Sequence, residues 1–241
     1  MELKSIFDNE INLKDYGDKI QKIKKNFDQN NEFIVLQDIL SKNSLDMMVK
    51  DFEKLRPFIH RSFIPNHKKG GSVSRPVISQ TTPIFDELYS NKKILTTFSE
   101  IAGKKLFLCP DDDLHACAIY TYTEEGDHIG FHFDTSYYKG ARYTALLGLI
   151  DDSSCRLEYE ANNSKKETVI NSVKIRPGDL VFFNGDNIKH RVTPAKKNET
   201  RVVLTLEYVT NQKMAPFLKF VSNMKDAIAY FGFKQVFKIT R

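Results

Sequence analysis

Cysteine is scarce in this chain. Cys109, Cys117 and Cys155 are the only three among 241 residues. The number is odd and no Cys-x-x-Cys pair occurs, which argues against a disulfide framework and for a reducing compartment. Long apolar runs are missing too. None approaches the ~18 residues that a membrane span requires, and the opening Met-Glu-Leu-Lys-Ser-Ile lacks the apolar core of a secretory signal. A cytoplasmic protein without a membrane partner is expected. Charge of one sign is not concentrated anywhere. Thirty-six basic residues stand against 31 acidic ones, a net charge of +5. The lysine pairs Lys24-Lys25, Lys68-Lys69, Lys165-Lys166 and Lys196-Lys197 are scattered. Nucleic-acid binding needs a gathered basic patch, so no nucleic-acid partner is expected. The mild positive bias suits a small anionic cosubstrate. Internal repeats and low-complexity tracts are also absent.

What is present is ordinary for a folded chain: 41% hydrophobic and 28% charged residues, enough for a substantial core. The length fits a single barrel or sandwich domain over 1–241. Residues 1–104 read as mainly helical. Tyr16, Ile20, Ile23 and Phe27 follow helical spacing, as do Leu45, Met48, Val49, Phe52 and Leu55 after the caps Asn43-Ser44. Pro57 marks the end of that helix, and Phe33–Leu36 has strand character. Asn66–Pro76, with Gly70-Gly71, reads as a mobile loop. A helical region spans Ile84 to Ile101. From 105 to 210 the texture changes to about eight short β-rich runs between turn signals such as Pro177-Gly178-Asp179 and Asn184-Gly185-Asp186, which predicts a sandwich or barrel. Residues 211–241 return to helical spacing. The expected architecture is a mainly β core with flanking helices.

One face of the β region carries chemistry. His132 and Asp134 lie two residues apart in an extended run, so both side chains point the same way. His190 follows a turn and precedes another strand, 58 positions after His132. Two imidazoles and one carboxylate on one face, with other positions open, are the donor set of non-haem Fe(II) oxygenases. Arg201 begins the last β run, 11 positions after His190. Its guanidinium is a planar fork suited to a buried carboxylate. Arg191 and Arg142 are lesser candidates for that role. Tyr120 and Tyr122 share a strand face and could add a hydroxyl.

From Ala116 to Tyr208 this order of elements resembles the Fe(II)/2-oxoglutarate-dependent oxygenases. The resemblance implies a double-stranded β-helix, a jelly roll of the cupin-like kind. It implies Fe(II) held by His132, Asp134 and His190, with 2-oxoglutarate anchored by Arg201 and O2 as the oxidant. Nucleic-acid demethylases of the superfamily carry a second arginine six positions after the first; here that position is Glu207. Prolyl hydroxylases usually anchor the cosubstrate with lysine and have a different spacing before the metal. The run from Tyr120 through His132-Phe-Asp134 to Ile150-Asp151 looks more like the small bacterial enzymes that halogenate or hydroxylate free amino acids, notably lysine. The halogenases of that group have glycine where this chain has Asp134, which leaves room for chloride. The carboxylate therefore implies hydroxylation of a free amino acid, L-lysine first.

Such a substrate needs a cation for its carboxylate and acceptors for its amines. Arg75, in the glycine-rich loop taken as a lid, is one candidate. His115 faces either the pocket or solvent, and Thr135 follows the ligand directly. Asp111-Asp112-Asp113 reads as a solvated turn. Phe217, Phe220, Tyr230 and Phe231 cap the pocket or form the face of a homodimer. The competing readings are a prolyl-hydroxylase-like enzyme acting on a peptide or protein side chain and a non-catalytic cupin-like binding module.

Overall fold

The computed structural model describes residues 19–162, 167–226 and 230–232. Six helices accompany twelve strands among them. The helices are α1 (Ile20–Gln29), α2 (Lys42–Leu55), α3 (Arg75–Thr81), α4 (Ile84–Tyr89), α5 (Lys92–Ala102) and α6 (Pro216–Asp226). The strands are β1 (Phe33–Leu36), β2 (His60–Ile64), β3 (Lys68–Val73), β4 (Phe107–Leu108), β5 (Cys117–Tyr122) and β6 (His128–His132). Then come β7 (Arg142–Asp152), β8 (Leu157–Asn162), β9 (Thr168–Val173), β10 (Leu180–Asn184), β11 (His190–Val192) and β12 (Thr200–Val209). The strands pair in the order β1-β10-β7-β12-β5-β3-β6-β11-β8-β9, with β2 added to β3 and β4 to β12. All of these pairings are antiparallel. The path curls on itself into the jelly roll that the resemblance implies.

Strand β12 explains how the layers arise. Its residues are buried on both faces, and alternation divides them. Val202, Leu204, Leu206 and Tyr208 face outward into a core shared with Phe27, Phe52, Ile94 and Phe98 of the helices. Each such burial contributes about 1.5–3 kcal/mol. Arg201, Val203, Thr205 and Glu207 face inward and line a cavity. Phe98 and Phe27 stack on Phe182 of β10 at 4.4 and 5.4 Å between centroids, which fixes the helical layer on the sheet. No described helix is long and apolar enough to cross a membrane.

The helical half departs from expectation in several places, strand β2 and helix α3 among them. Helix α2 begins at Lys42, because Ser41 is the cap: its hydroxyl accepts from the Ser44 amide at 3.1 Å. The expected helix over 84–101 is two helices, because the Asn91 side chain accepts from the amides of Lys93 and Ile94 and starts α5 afresh. The largest difference lies in the glycine-rich segment, which is strand β3 inside the sheet, not a loop. A Cβ on Gly71 would collide with Thr121 and Ile59, so this glycine permits close packing between strands. The part of the expected first helix before residue 19 lies outside the described residues.

Candidate active site

His132 ends β6 and His190 opens β11, and the two are paired across the ladder. Asp134 follows β6 by two residues, and its amide donates to the Gly185 carbonyl at 2.9 Å. The result is a compact donor set: one ligand atom from each of His132, Asp134 and His190 lies within 4.8 Å of the others. Asp134 sits between the rings, with Oδ1 3.5 Å from His132 Nε2 and Oδ2 3.7 Å from His190 Nε2. Both imidazoles are oriented from behind. His132 Nδ1 donates to the Gly130 carbonyl at 2.9 Å, and His190 Nδ1 to the Ile188 carbonyl at 3.1 Å. A proton on each Nδ1 leaves each Nε2 lone pair for a metal. Thr144 on β7 donates to Asp134 Oδ2 at 2.8 Å. Gly185 makes room for the carboxylate, since a Cβ there would stand 2.8 Å from Asp134 Cβ.

The titration behaviour of the three groups suits this role. Burial pushes His190 down to about 4, so the ring is a neutral donor. Burial also acts against the charge on Asp134, but His190, His132 and the Thr144 hydroxyl outweigh it and hold the carboxyl well below the usual range. For His132, burial is outweighed by the hydrogen bond and charge of Asp134, which raise it. A borderline divalent metal such as Fe(II) accepts this mixture of nitrogen and oxygen, and three ligands on one face leave positions for other molecules.

The triad opens onto a cavity with two unlike ends. At one, Arg201 is buried at 2% exposure. Its guanidinium lies 5.0 Å from the centroid of the Tyr122 ring, which β5 presents directly opposite. Burial pushes the Tyr122 phenol up to about 12, against the pull of Arg201. Apolar Leu146, Leu157, Val192 and Val203 complete that wall. No carboxylate among the described residues pairs with Arg201. At the other end Arg142 of β7 is held between Glu207 and Asp113, the latter at 3.2 Å. Two carboxylates share one guanidinium, so they part. Burial and the neighbouring Asp113 carboxylate push Glu207 up to about 7, despite Arg142. Asp113 stays low because Arg142 and His115 outweigh its burial. His115 Nδ1 lies 2.7 Å from the Tyr120 hydroxyl, and both side chains line the cavity.

Of the sequence-derived candidates, His132, Asp134, His190, Arg201, Tyr120, Tyr122, His115 and Thr135 all border this cavity. Arg75 does not. It lies at the start of α3, where its guanidinium bonds the Pro110 carbonyl at 3.1 Å and Asp111 at 3.0 Å, faces Asp86 and stacks on Tyr89. The expectation of Arg75 on a mobile lid fails because β3 is fixed in the sheet and these groups already engage the side chain. Arg191 is tied to Glu158 at 2.7 Å. Asp113 is a buried partner of Arg142, not part of a solvated turn. Tyr230 closes the cavity, while Phe217 is exposed; the Phe220 side chain lies outside the described residues. Arg142, a lesser candidate for the anchor, borders the cavity as well, whereas Glu207, Thr205 and Thr144 are not singled out by the sequence. The period-two pattern of β12 beyond Arg201 was the available signal for two of them.

Comparison with known proteins agrees with this geometry. The family model described as HalD, Halogenase D, matches residues 16–139. No curated protein matches the chain. Among solved structures, the non-haem α-ketoglutarate-dependent epimerase SnoN from nogalamycin biosynthesis is similar at TM-score 0.66 and 12% identity, covering 79% of this chain and 82% of that one. A Pseudomonas putida prolyl-4-hydroxylase is similar at TM-score 0.60 and 12% identity, over 80% of this chain and 99% of that one. HygX from Streptomyces hygroscopicus, solved with nickel and 2-oxoglutarate bound, is similar at 0.59 and 13%, over 78% and 86%. At such identities these structures speak to the fold alone, whereas the family match spans half of the sequence. The chain belongs to the halogenase D family and has the jelly-roll fold of the Fe(II)/2-oxoglutarate oxygenases.

Proposed function

We propose that this protein hydroxylates an unactivated C–H bond of a free amino acid, L-lysine first, as a single oxygenase domain. His132, Asp134 and His190 hold Fe(II). Arg201, with the Tyr122 hydroxyl beside it, takes the far carboxylate of 2-oxoglutarate. When bound, the iron and cosubstrate supply activation of O2, with succinate and CO2 released as the C–H bond becomes C–OH. The protein positions the two organic molecules and excludes water. Thr144 and the carbonyls of Gly130 and Ile188 hold the ligands in register. At the far end Glu207 supplies an acceptor for an ammonium group, and Thr135 and His115 border the same space.

The observation that carries this reading is the Asp134 carboxylate between the two imidazoles. It is a third protein ligand in a family named for halogenation, and it fills the position that chloride would need. Anaerobic addition of Fe(II) and 2-oxoglutarate should produce a weak visible charge-transfer band, which His190→Ala abolishes. Free L-lysine should then stimulate succinate release and gain one oxygen in mass. Turnover on lysyl or prolyl peptides alone would sink the free amino acid reading. Absence of both band and succinate with every amino acid would sink the enzymatic one and favour a binding module.

A further inference from the structure

A second buried cation besides Arg201 lies directly behind the cavity wall. Lys68 of β3 pairs across the ladder with Ile129, a cavity residue, and Ser72 of the same face pairs with Tyr120. Residues at steps of two share a face, so Lys68 points inward. Its exposure is 1%. Its Nζ lies 4.0 Å from the centroid of the Tyr230 ring and 5.2 Å from that of Tyr120. Both rings line the cavity. The ammonium has no hydrogen-bond partner among the described residues, nor an ion pair. Contact with two ring faces is favourable for a cation, but it compensates only part of the cost of removing an ammonium from water. Burial accordingly pushes Lys68 down to about 7.

The other charges of the cavity leave this one unanswered. Arg142 is engaged by Glu207 and Asp113. Lys225 stacks on Tyr137 from an exposed position on α6. Arg201 in the wall and Lys68 behind the rings of Tyr120 and Tyr230 are thus two buried cations without a carboxylate among the described residues. The proposed reaction brings two molecules that each carry one: 2-oxoglutarate and the amino acid. Arg201 lies against Tyr122, and the Lys68 ammonium lies between Tyr120 and Tyr230, on the side of His115.

We propose that Lys68 binds the substrate carboxylate, seated beside Tyr120 and Tyr230. This rests on the free amino acid reading and gives that substrate its anion-binding subsite. The role assigned on sequence grounds to Arg75 passes to a residue seven positions earlier, against the rings of Tyr120 and Tyr230.

The test removes the charge and the carboxylate separately. Calorimetry on protein loaded with Ni(II) and 2-oxoglutarate compares L-lysine with 1,5-diaminopentane, which lacks only the carboxylate. Wild type should prefer lysine by about 30-fold, the usual scale for a buried charge-assisted contact. Lys68→Met should reduce that preference below about threefold by weakening lysine and leaving the diamine unchanged. Lys68→Arg should keep most of it. Lys68→Met should also raise the melting temperature of the apoprotein, because an uncompensated buried charge gives way to an apolar chain of similar length. Lys68→Gln repeats the comparison should the methionine variant fail to fold. A preference that persists in both neutral variants overturns the proposal. So does a loss of 2-oxoglutarate affinity with the lysine preference intact, which would assign the cation to the cosubstrate. If no free amino acid binds wild type, the proposed function itself falls and the Lys68 subsite with it. If a different amino acid binds, that amino acid and its decarboxylated amine replace the pair, and the same outcomes decide.

Discussion

The two ends of the cavity are built on opposite principles. Around Arg201 there is one guanidinium, one phenol and a ring of aliphatic side chains. Around Arg142 there are two carboxylates, an imidazole and two phenols. The first end suits a ligand that never changes, because one strong cation in an apolar wall recognises a single carboxylate by position alone. The second end is a balanced charge cluster, in which each group sets the protonation of its neighbours. That arrangement suits a zwitterion, and it makes this end the place where relatives of the same fold would diverge in substrate.

The sharpest way to break the comparison is at the simple end. Arg201→Gln removes the cation there and has no neighbour to take over. The 2-oxoglutarate affinity should fall by roughly a thousandfold, about 4 kcal/mol, while Fe(II) affinity stays within a few-fold. Titration of the charge-transfer band with 2-oxoglutarate measures this. A loss below tenfold would mean that another residue anchors the cosubstrate.

At the crowded end the expected effect is on pH dependence. Glu207 titrates at about 7 in the folded protein against 4.5 when exposed. Between those values the folded state holds a proton that the unfolded state has released. Stability therefore falls as pH rises from about 4.5 to 7, by up to about 3 kcal/mol. Glu207→Gln cannot titrate, so its stability curve should be flatter across that window. Urea denaturation at pH 5 and pH 7.5 checks this; parallel curves for the two proteins would refute it.

The smallest effect belongs to the boundary between the ends. Thr144→Val removes the hydroxyl that steadies Asp134, and metal affinity should weaken about tenfold. Competition with a fluorescent chelator reads this directly. Unchanged affinity would show that Gly185 and the backbone alone position the ligand.

The legibility of the sequence follows the same division. That His132, Asp134 and His190 lie together was legible: alternation puts the first two on one face, and their order with His190 and Arg201 carries the resemblance to the oxygenases. A β sandwich or barrel was legible because its strands are short and apolar between strong turns, and the jelly roll followed from the family resemblance. The charge cluster was not legible. Arg142, Glu207 and Asp113 come from three distant segments, and only the antiparallel register of β7 with β12 brings Glu207 opposite Thr144 and within reach of Arg142. Lys68 was hidden for another reason. Gly70-Gly71 carries no side chain to display the alternation, so a strand of the sheet reads as a loop in the sequence. In the helical half, the Asn91 cap outweighed the continuous apolar spacing around it.

Strand β12 has a consequence for positional selectivity. Its ten residues form one stiff element whose inner face carries Arg201 and Glu207 six residues apart, roughly 20 Å at ~3.3 Å per residue. In the proposed reaction such a strand would act as a ruler, holding the reacting carbon at a set span from the fixed ends. Oxidation should then be counted from the carboxylate end of the substrate and not from its tail. Lengthening or shortening the side chain by one methylene should keep the hydroxyl on the same numbered carbon, with the mismatch appearing as weaker binding.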